Sequence, residues 1–532
     1  MSDKKLVLIL NAGCDYIRHT GGDETKYAAE LGWIFEMVSE TCLPLLGMME
    51  SLERDAVPFQ FGLVISPVLC TLLEDPAVQE QYERWLDCRI EVGRREIERC
   101  RNDAALLSAA KLCLERHQES KLAFQRCGRK ILRKFAEYQK KGFLELLATC
   151  ATDVFLPHYS DMEEILNAQV ETGLHAYKAH FGEAPEGFWL PELGYSDGVE
   201  RVLRGYGVNY TVLDARSFLL SETEPAAGIF CPARFENSLV AFGRDAESDE
   251  ELFGAGGFAR RGVYLDRNRD IGFALPQDEL APFLEAGSSR RALGYRYWSK
   301  GAASGSGADG VYDAASAAVQ CASDAEGFLL SKIKKLSAAE RLLPEQEELS
   351  LVVTVDLNRL RTQWAEGIFF IESCFRTAVG KPVSFEKCRN LIENQFALQK
   401  IRPCYGSAAG DGYGENLLSH KNNWMMRYVR KACGRMVDLA GRFPSDTGLK
   451  ARLLNLGAKE LLLAQSCGWA KMLDEGVSPE YAEMRFRQSI DDFTIVFDAL
   501  GSNTVSTEWL TNLEGAHPLF PWMNYRIFSK KR

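Results

Sequence analysis

Two carboxylates stand where apolar runs of the chain end: Glu192 in GFWLPELGY (187–195) and Asp356 in LSLVVTVDL (349–357). Pro191 fixes the backbone immediately before Glu192, and a Gly-Tyr pair turns it immediately after. Two such groups facing one another are the machinery of glycosidic bond cleavage. Retaining chemistry holds them about 5–5.5 Å apart as nucleophile and acid/base, and inverting chemistry holds them wider. The competing use of a strand-end Asp or Glu is structural, capping a helix or pairing with an arginine. Trp189, Tyr195, Trp364, Trp424 and Trp469 lie in or beside apolar segments. Such rings can stack on the apolar faces of sugars or simply fill the core.

Other chemistries find less support. The seven histidines (19, 117, 158, 175, 180, 420 and 517) form no HxH or HExxH arrangement, so no metal site is expected. No GxxxxGK[ST] run is present, and FGAGGF (253–258) is not preceded by a strand, so neither a phosphate loop nor a dinucleotide cofactor is expected. No cysteine can be matched with a histidine as a nucleophile pair.

The elements that must position these groups are legible as short apolar runs: 5–10, 61–66, 143–150, 187–190, 209–214 and 349–357. Helical patterns separate many of them, which predicts a parallel sheet covered by helices and, if the sheet closes, a barrel. Ligands of such folds collect at the carboxyl ends of the strands, where Asn11, Glu192, Asp214 and Asp356 fall. Residues 76–142 have a charged, helical texture with Tyr82, Trp85, Leu86 and Ile90 on one face, and read as an insertion. From 408 the chain is helical again, so the expected organisation is a barrel domain of 1–75 and 143–407, a helical insertion of 76–142, and a C-terminal helical domain of 408–532. The stretch 301–310, GAASGSGADG, reads as a surface loop.

A chain of 532 residues with 46% hydrophobic and 26% charged residues is globular and too long for one ordinary core. Its formal net charge of −11 excludes a basic footprint for nucleic acid or an anionic membrane. An odd count of fifteen cysteines without a CxxC pair predicts reduced thiols, and no apolar stretch reaches a membrane span, so a cytoplasmic location is expected.

The stretches GFWLPELGYSDGVERVLRGYGVNYTVLDAR (187–216), AFGRDAES (241–248), YLDRNRDIGF (264–273), NNWMMRYVRKACGRMVDLA (422–440), AKELLLAQSCGW (458–469) and LFPWMNYRIF (519–528) resemble glycoside hydrolase family 57, and within it the 1,4-α-glucan branching enzymes. The resemblance implies an incomplete (β/α)7 barrel with a helical insertion and a C-terminal helical domain. It implies an α-glucan substrate, no cofactor, Glu192 as nucleophile and Asp356 as general acid and base. Asn11, Trp33, Asp153, Trp189, Tyr195, Phe230, Trp364, Trp424 and Trp469 then become the expected substrate-binding residues.

The surroundings of the two carboxylates depart from that family. Asn11 and Gly13 stand where it has two histidines, Asp15 where it has a proline, and Asp153 where it has a further histidine. Asn358 and Thr362 replace a Glu and a His, Gly468 replaces an aspartate, and Ala227 and Phe230 stand in place of loop tyrosines. Lost donors to sugar hydroxyls cost transition-state stabilisation, on the order of 2–4 kcal/mol each. Three readings therefore stay open: a divergent branching-type enzyme, an impaired homologue that binds glucan or a protein partner, and a site re-tuned for another sugar or for hydrolysis. The first would be contradicted by a Glu192 and an Asp356 that lie far apart, or by a Glu192 locked into a structural salt bridge.

Overall fold

The computed structural model describes residues 4–21, 23–280, 283, 290–301, 310–343, 348–502 and 504–530. The loop expected at 301–310 lies outside the described residues except for its two ends.

Nine strands form one sheet: β1 (Lys4–Ala12), β2 (Phe61–Ile65), β3 (Leu144–Thr149), β4 (Gly187–Trp189), β5 (Tyr210–Leu213), β6 (Ala233–Arg234), β7 (Val240–Gly243), β8 (Ser350–Asp356) and β9 (Val383–Glu386). The order is β6-β7-β5-β4-β3-β2-β1-β8, with β9 also pairing along β1, and every pairing is parallel except β6–β7. Seven parallel strands thus curl round an axis. The seam between β7 and β8 is joined at one bridge, Arg244 with Val352, where the Asp245 amide donates to the Val352 carbonyl at 2.7 Å. This is an incomplete (β/α)7 barrel.

Period-two alternation decides what each strand offers to the axis. In β1, Val7 and Ile9 fill the barrel interior, while Leu6, Leu8 and Leu10 face the surrounding helices. In β8, Val352 points inward and Leu351, Val353 and Val355 outward. The same parity aims Asn11 and Asp356 into the mouth of the barrel. They sit side by side, since Asn11 is in register with Asp356 on the neighbouring strand.

After the short helix Pro67–Glu74 that follows β2, three helices lead to β3: Pro76–Arg99, Ala104–Arg126 and Ile131–Lys140. The first starts sharply because Asp75 caps the Ala77 and Val78 amides and Pro76 occupies the opening turn. Its Tyr82, Leu86 and Ile90 are buried and Trp85 is partly so. The chain ends in helices Trp424–Arg442, Gly448–Ala464, Cys467–Glu475, Pro479–Ser502 and Thr507–Ala516. Gly448–Ala464 is apolar almost all round from Leu453 onward and runs through the middle of this bundle. The bundle docks on the loop that follows β3 and on the helix Glu163–Phe181 after it: Thr152 Oγ1 donates to the Leu462 carbonyl, Gln169 Nε2 to Gln465 Oε1, and the Cys467 amide to the Asp153 carbonyl. That docking brings helix Cys467–Glu475 to the barrel mouth. Among the described residues no helix is long and apolar enough to cross a membrane.

Candidate active site

Glu192 owes its position to a turn that ordinary residues avoid. After β4 the chain passes through buried Leu190 and Pro191, and then both Glu192 (φ +55°) and Leu193 (φ +49°) adopt left-handed backbone conformations. Two consecutive non-glycine residues in that region cost roughly 1–2 kcal/mol each and persist only where the surroundings enforce them. Here the Leu193 amide donates to the Leu190 carbonyl at 2.8 Å, the Ala408 amide to the Glu192 carbonyl at 2.7 Å, and Tyr195 bridges to Gly406. Segment 406–408 therefore clamps the turn that presents Glu192.

The Glu192 carboxylate receives an ion pair that sequence reasoning missed. Lys471 Nζ, from helix Cys467–Glu475, donates to Glu192 Oε1, and both side chains keep some exposure, 30% and 25%. Burial works against the charge of Lys471. The nearby carboxylates, Glu192 foremost and Asp356 with it, more than offset this, and the lysine pKa is raised. Lys471 follows Gly468 by three residues, one helical turn, so the helix period was the signal that could have found it.

Asp356 closes β8 and caps the helix Leu357–Gln363, its Oδ1 accepting from the Asn358 amide at 2.8 Å. Burial pushes its pKa up and Glu192 adds to this, while Lys471 and the Asn358 amide pull the other way; the net direction is upward. Asn358 also ties this helix to the segment after β1, donating from Nδ2 to the Gly13 carbonyl at 2.7 Å.

Two more carboxylates complete the mouth. Asp153 is pushed up to about 7, by burial first and then by Asp15, Glu192 and Asp356. Asp15 is raised by burial against the opposing effects of Ser466, whose hydroxyl donates to it at 2.6 Å, and of Lys471. A side chain built on Gly13 would place its Cβ 2.6 Å from Asp153 Oδ2, and one built on Gly468 would place it 2.0 Å from Asp15 Oδ2. The carboxyl groups of Asp153 and Asp15 thus occupy the spaces that side chains at 13 and 468 would need. Sequence comparison read Gly13 and Gly468 as plain losses; the structure shows acidic groups from elsewhere filling both gaps. Cys14, beside Asp153 and Asp15, has its thiol pKa pushed well up by burial and by those carboxylates, which disfavours its thiolate.

Asp214 shows the contrasting, structural use of a strand-end acid. It caps the turn Ala215–Leu219 and accepts from Arg244 Nε at 2.7 Å.

The aromatic expectations are corrected in large part. Trp364 is 1% exposed and packed among Phe253, Tyr264 and Phe370 in the core beneath helix Gly367–Ala378. Trp189 fills the barrel interior with Leu147 and Tyr210. Tyr195 is buried with its hydroxyl on Glu200, and Trp469 is buried with its indole N–H on the Leu463 carbonyl. None of these four rings has a face free for a sugar. Trp424 belongs to another place: it lines a 240 Å³ hollow of the C-terminal bundle with Tyr428 and Arg435, and the Arg487 guanidinium covers its ring at 4.5 Å. Trp33 and Phe230 are half-buried against the main core and keep part of their rings exposed. Among the described residues no group of three or more His, Cys, Asp or Glu side chains is arranged to hold a metal ion.

What the mouth can do chemically follows from this set: a Glu192 side chain held by the Lys471 ammonium, an Asp356 whose pKa is raised, and two further acids that share the field. Known proteins match this chain over most of its length. Residues 8–252 match the family model of glycosyl hydrolase family 57, and residues 428–528 match that of the C-terminal region of 1,4-alpha-glucan branching enzymes. A 1,4-alpha-glucan branching enzyme of Thermococcus kodakarensis is 24% identical over 529 residues, covering 92% of this chain and 72% of the relative. The crystal structure of the alpha-amylase AmyC of Thermotoga maritima superposes with a TM-score of 0.90 at 29% identity, over all of both chains. A branching enzyme of this type from Pyrococcus horikoshii superposes with a TM-score of 0.87 at 20% identity, over all of this chain and 97% of the other.

Proposed function

Because the chain belongs to glycoside hydrolase family 57, we propose that it is an α-glucan-active enzyme that cleaves an α-1,4 bond with retention and passes the chain to a 6-hydroxyl. Glu192 attacks the anomeric carbon while Asp356 protonates the departing oxygen, leaving a glycosyl ester on Glu192. Asp356, now ionised, takes the proton of the incoming 6-hydroxyl as that oxygen displaces Glu192. Water in place of the 6-hydroxyl gives hydrolysis through the same intermediate. The observation that carries this reading is the clamped left-handed turn that presents Glu192, with Asp356 and Lys471 in its field. Strain of this kind gathers at functional sites. The barrel of 1–75 and 143–407 supplies both carboxylates, the insertion of 76–142 flanks it, and the C-terminal domain of 408–532 brings Lys471 to the mouth. All fifteen cysteines are free thiols, which supports a reducing, cytoplasmic setting and a storage glucan as substrate.

The Glu192–Lys471 ion pair favours a second reading, a glucan-binding homologue whose nucleophile is held back. Lys471 keeps the carboxylate aimed, but it also withdraws the electron density that attack requires. Amylose incubated with the purified protein separates the readings by iodine absorbance, reducing ends and α-1,6 branch points. We expect branch points to form, Glu192→Gln to abolish them, and Lys471→Met to lower the rate on the order of tenfold or more as Glu192 loses its orienting partner. New reducing ends without branch points would make the protein a hydrolase. A faster Lys471→Met variant would show that the ammonium restrains the nucleophile, and amylose binding with no turnover in any variant would establish the second reading.

A further inference from the structure

On the flank of the barrel lies a cavity of 770 Å³ that shares no residue with the mouth. It is bounded by helix Leu43–Arg54 and the π-helical turn Val38–Cys42 before it, by helix Ala104–Arg126, by Leu265, Arg267, Gly294 and Arg296, and by the start of helix Gly367–Ala378. Its size is that of a small-molecule site. π-helical turns, which strain the regular ladder, recur at functional sites, and this one turns Ser39 and Glu40 into the cavity.

The walls and the floor have different chemistry. Leu43, Pro44, Met48, Leu122, Ile368 and Phe369 make apolar walls, and two of them remain open to solvent, Leu122 at 58% and Phe369 at 43%. The floor is made by Arg267, Arg296 and His117, whose side chains are only 8%, 7% and 8% exposed. Arg267 reaches Glu40 through one terminal nitrogen, but its Nε has no hydrogen-bond partner, and neither has His117 Nε2. Arg296 Nε is in the same state, lying 3.6 Å from Asp270 without a hydrogen bond. Buried polar nitrogens left in this condition cost about 1–3 kcal/mol each, and an acceptor oxygen placed on the floor would recover that cost.

The balance of charge names the ligand's sign. The lining arginines are 116, 126, 267 and 296, against Glu40, Glu119 and Glu372. Glu40 is already paired with Arg267 and Arg296, and Glu372 with Arg376. Arg116 lies beside Tyr312 with Glu366 in its field, while among the described residues Arg126 makes no ion pair, against a single remaining acid of the lining, Glu119. An acidic group entering between apolar walls therefore meets cations at the rim and unpaired nitrogens at the floor.

We propose that this cavity is a second ligand site, for a small organic anion that carries an apolar body. The site is independent of the glucan reading and stands or falls by its own test. The probe is 8-anilinonaphthalene-1-sulfonate, an apolar anion, titrated into the full chain by fluorescence beside its uncharged counterpart N-phenyl-1-naphthylamine. One saturable site is expected for the anion, not displaced by maltoheptaose. Gly47 lines the cavity on an exposed helical position where an added Cβ meets nothing within 4 Å. Gly47→Trp therefore plugs the space without touching the charged floor, and it should weaken binding by about tenfold or more at an unchanged melting temperature. Ser120→Trp plugs it from the opposite wall and serves if the first variant folds poorly. Arg116→Gln with Arg126→Gln should weaken the anion and leave the uncharged dye unaffected. Absence of saturable binding, affinity unchanged in both plugged variants, displacement by maltoheptaose, or equal loss for both dyes would each overturn the proposal.

Discussion

With Asp15, Glu192 and Asp356 around it, Asp153 cannot ionise as an exposed aspartate does, and burial and their charges together push it up to about 7 from 3.8. Below pH 3.8 the group is protonated whether the chain is folded or not, and the folded state bears no penalty. As the pH rises to about 7 the unfolded chain ionises while the folded one resists, and stability falls; above that the full penalty is present. At about 1.4 kcal/mol per unit the penalty is at most ~4.5 kcal/mol. Asp153→Asn fixes the neutral form, so it should melt higher than the parent at pH 8 and level with it near pH 4, as scanning calorimetry would read. A gain of equal size at both pH values would show that Asp153 does not titrate in this range. At the same scale the limits of sequence reasoning are plain. A tryptophan beside an apolar run looks the same whether its ring faces a substrate or the core, which is why Trp189, Trp364 and Trp469 were misplaced. Asp356 was legible because it ends β8, and Glu192 because it follows the apolar run of β4 in the next turn. Lys471 was not, because an isolated lysine on a helix reads as solvent-facing until the helix is docked.

Between elements, the segment after β1 and the helix Cys467–Glu475 meet through one exchange of volume: Gly468 has no side chain where the Asp15 carboxyl lies. The hydroxyl of Ser466 then fixes Asp15 in that space. Gly468→Ala forces a methyl group against a buried carboxylate and should destabilise the fold by ~1–3 kcal/mol, the usual cost of overpacking. Asp15→Ala removes the obstacle, so the double variant Asp15→Ala/Gly468→Ala should recover most of the loss that the Gly468 change causes. Denaturant titration of the four proteins checks this, and simple additivity of the two single changes would contradict it. Two substitutions that read as separate losses in the sequence are one coupled substitution in space, and only packing reveals that. The long strands were readable from their apolar runs, since a parallel strand buried on both faces shows as a block. The two-residue β6, the four-residue β7 and the four-residue β9 were not found: β6 and the half-exposed β9 carry no such block, and β7, though buried throughout, is short. Closure at Arg244 and Val352 was equally invisible, because it is one bridge between residues more than a hundred apart.

Over the whole chain the sequence divides where the core does not. Helical texture from 408 onward suggests a separate C-terminal unit, but the main hydrophobic core runs without interruption from Leu6 and Phe61 of the barrel through Leu453 and Leu461 of the bundle to Phe528 near the end. The mouth is assembled in the same spirit, with Glu192 from β4, its clamp from 406–408, and Lys471 from the bundle. A core shared in this way gives the barrel no intermediate in which it stands while the bundle is unfolded, since Thr152 and Gln169 would lose their partners and the leucines of both parts would face water together. Urea unfolding should therefore be one transition, with helix content by far-ultraviolet circular dichroism and the environment of Trp189 and Trp364 by fluorescence following the same curve. Two separated midpoints, helix lost first and tryptophan burial later, would mean that the bundle is an independent domain and that its lysine is delivered to the mouth by docking alone.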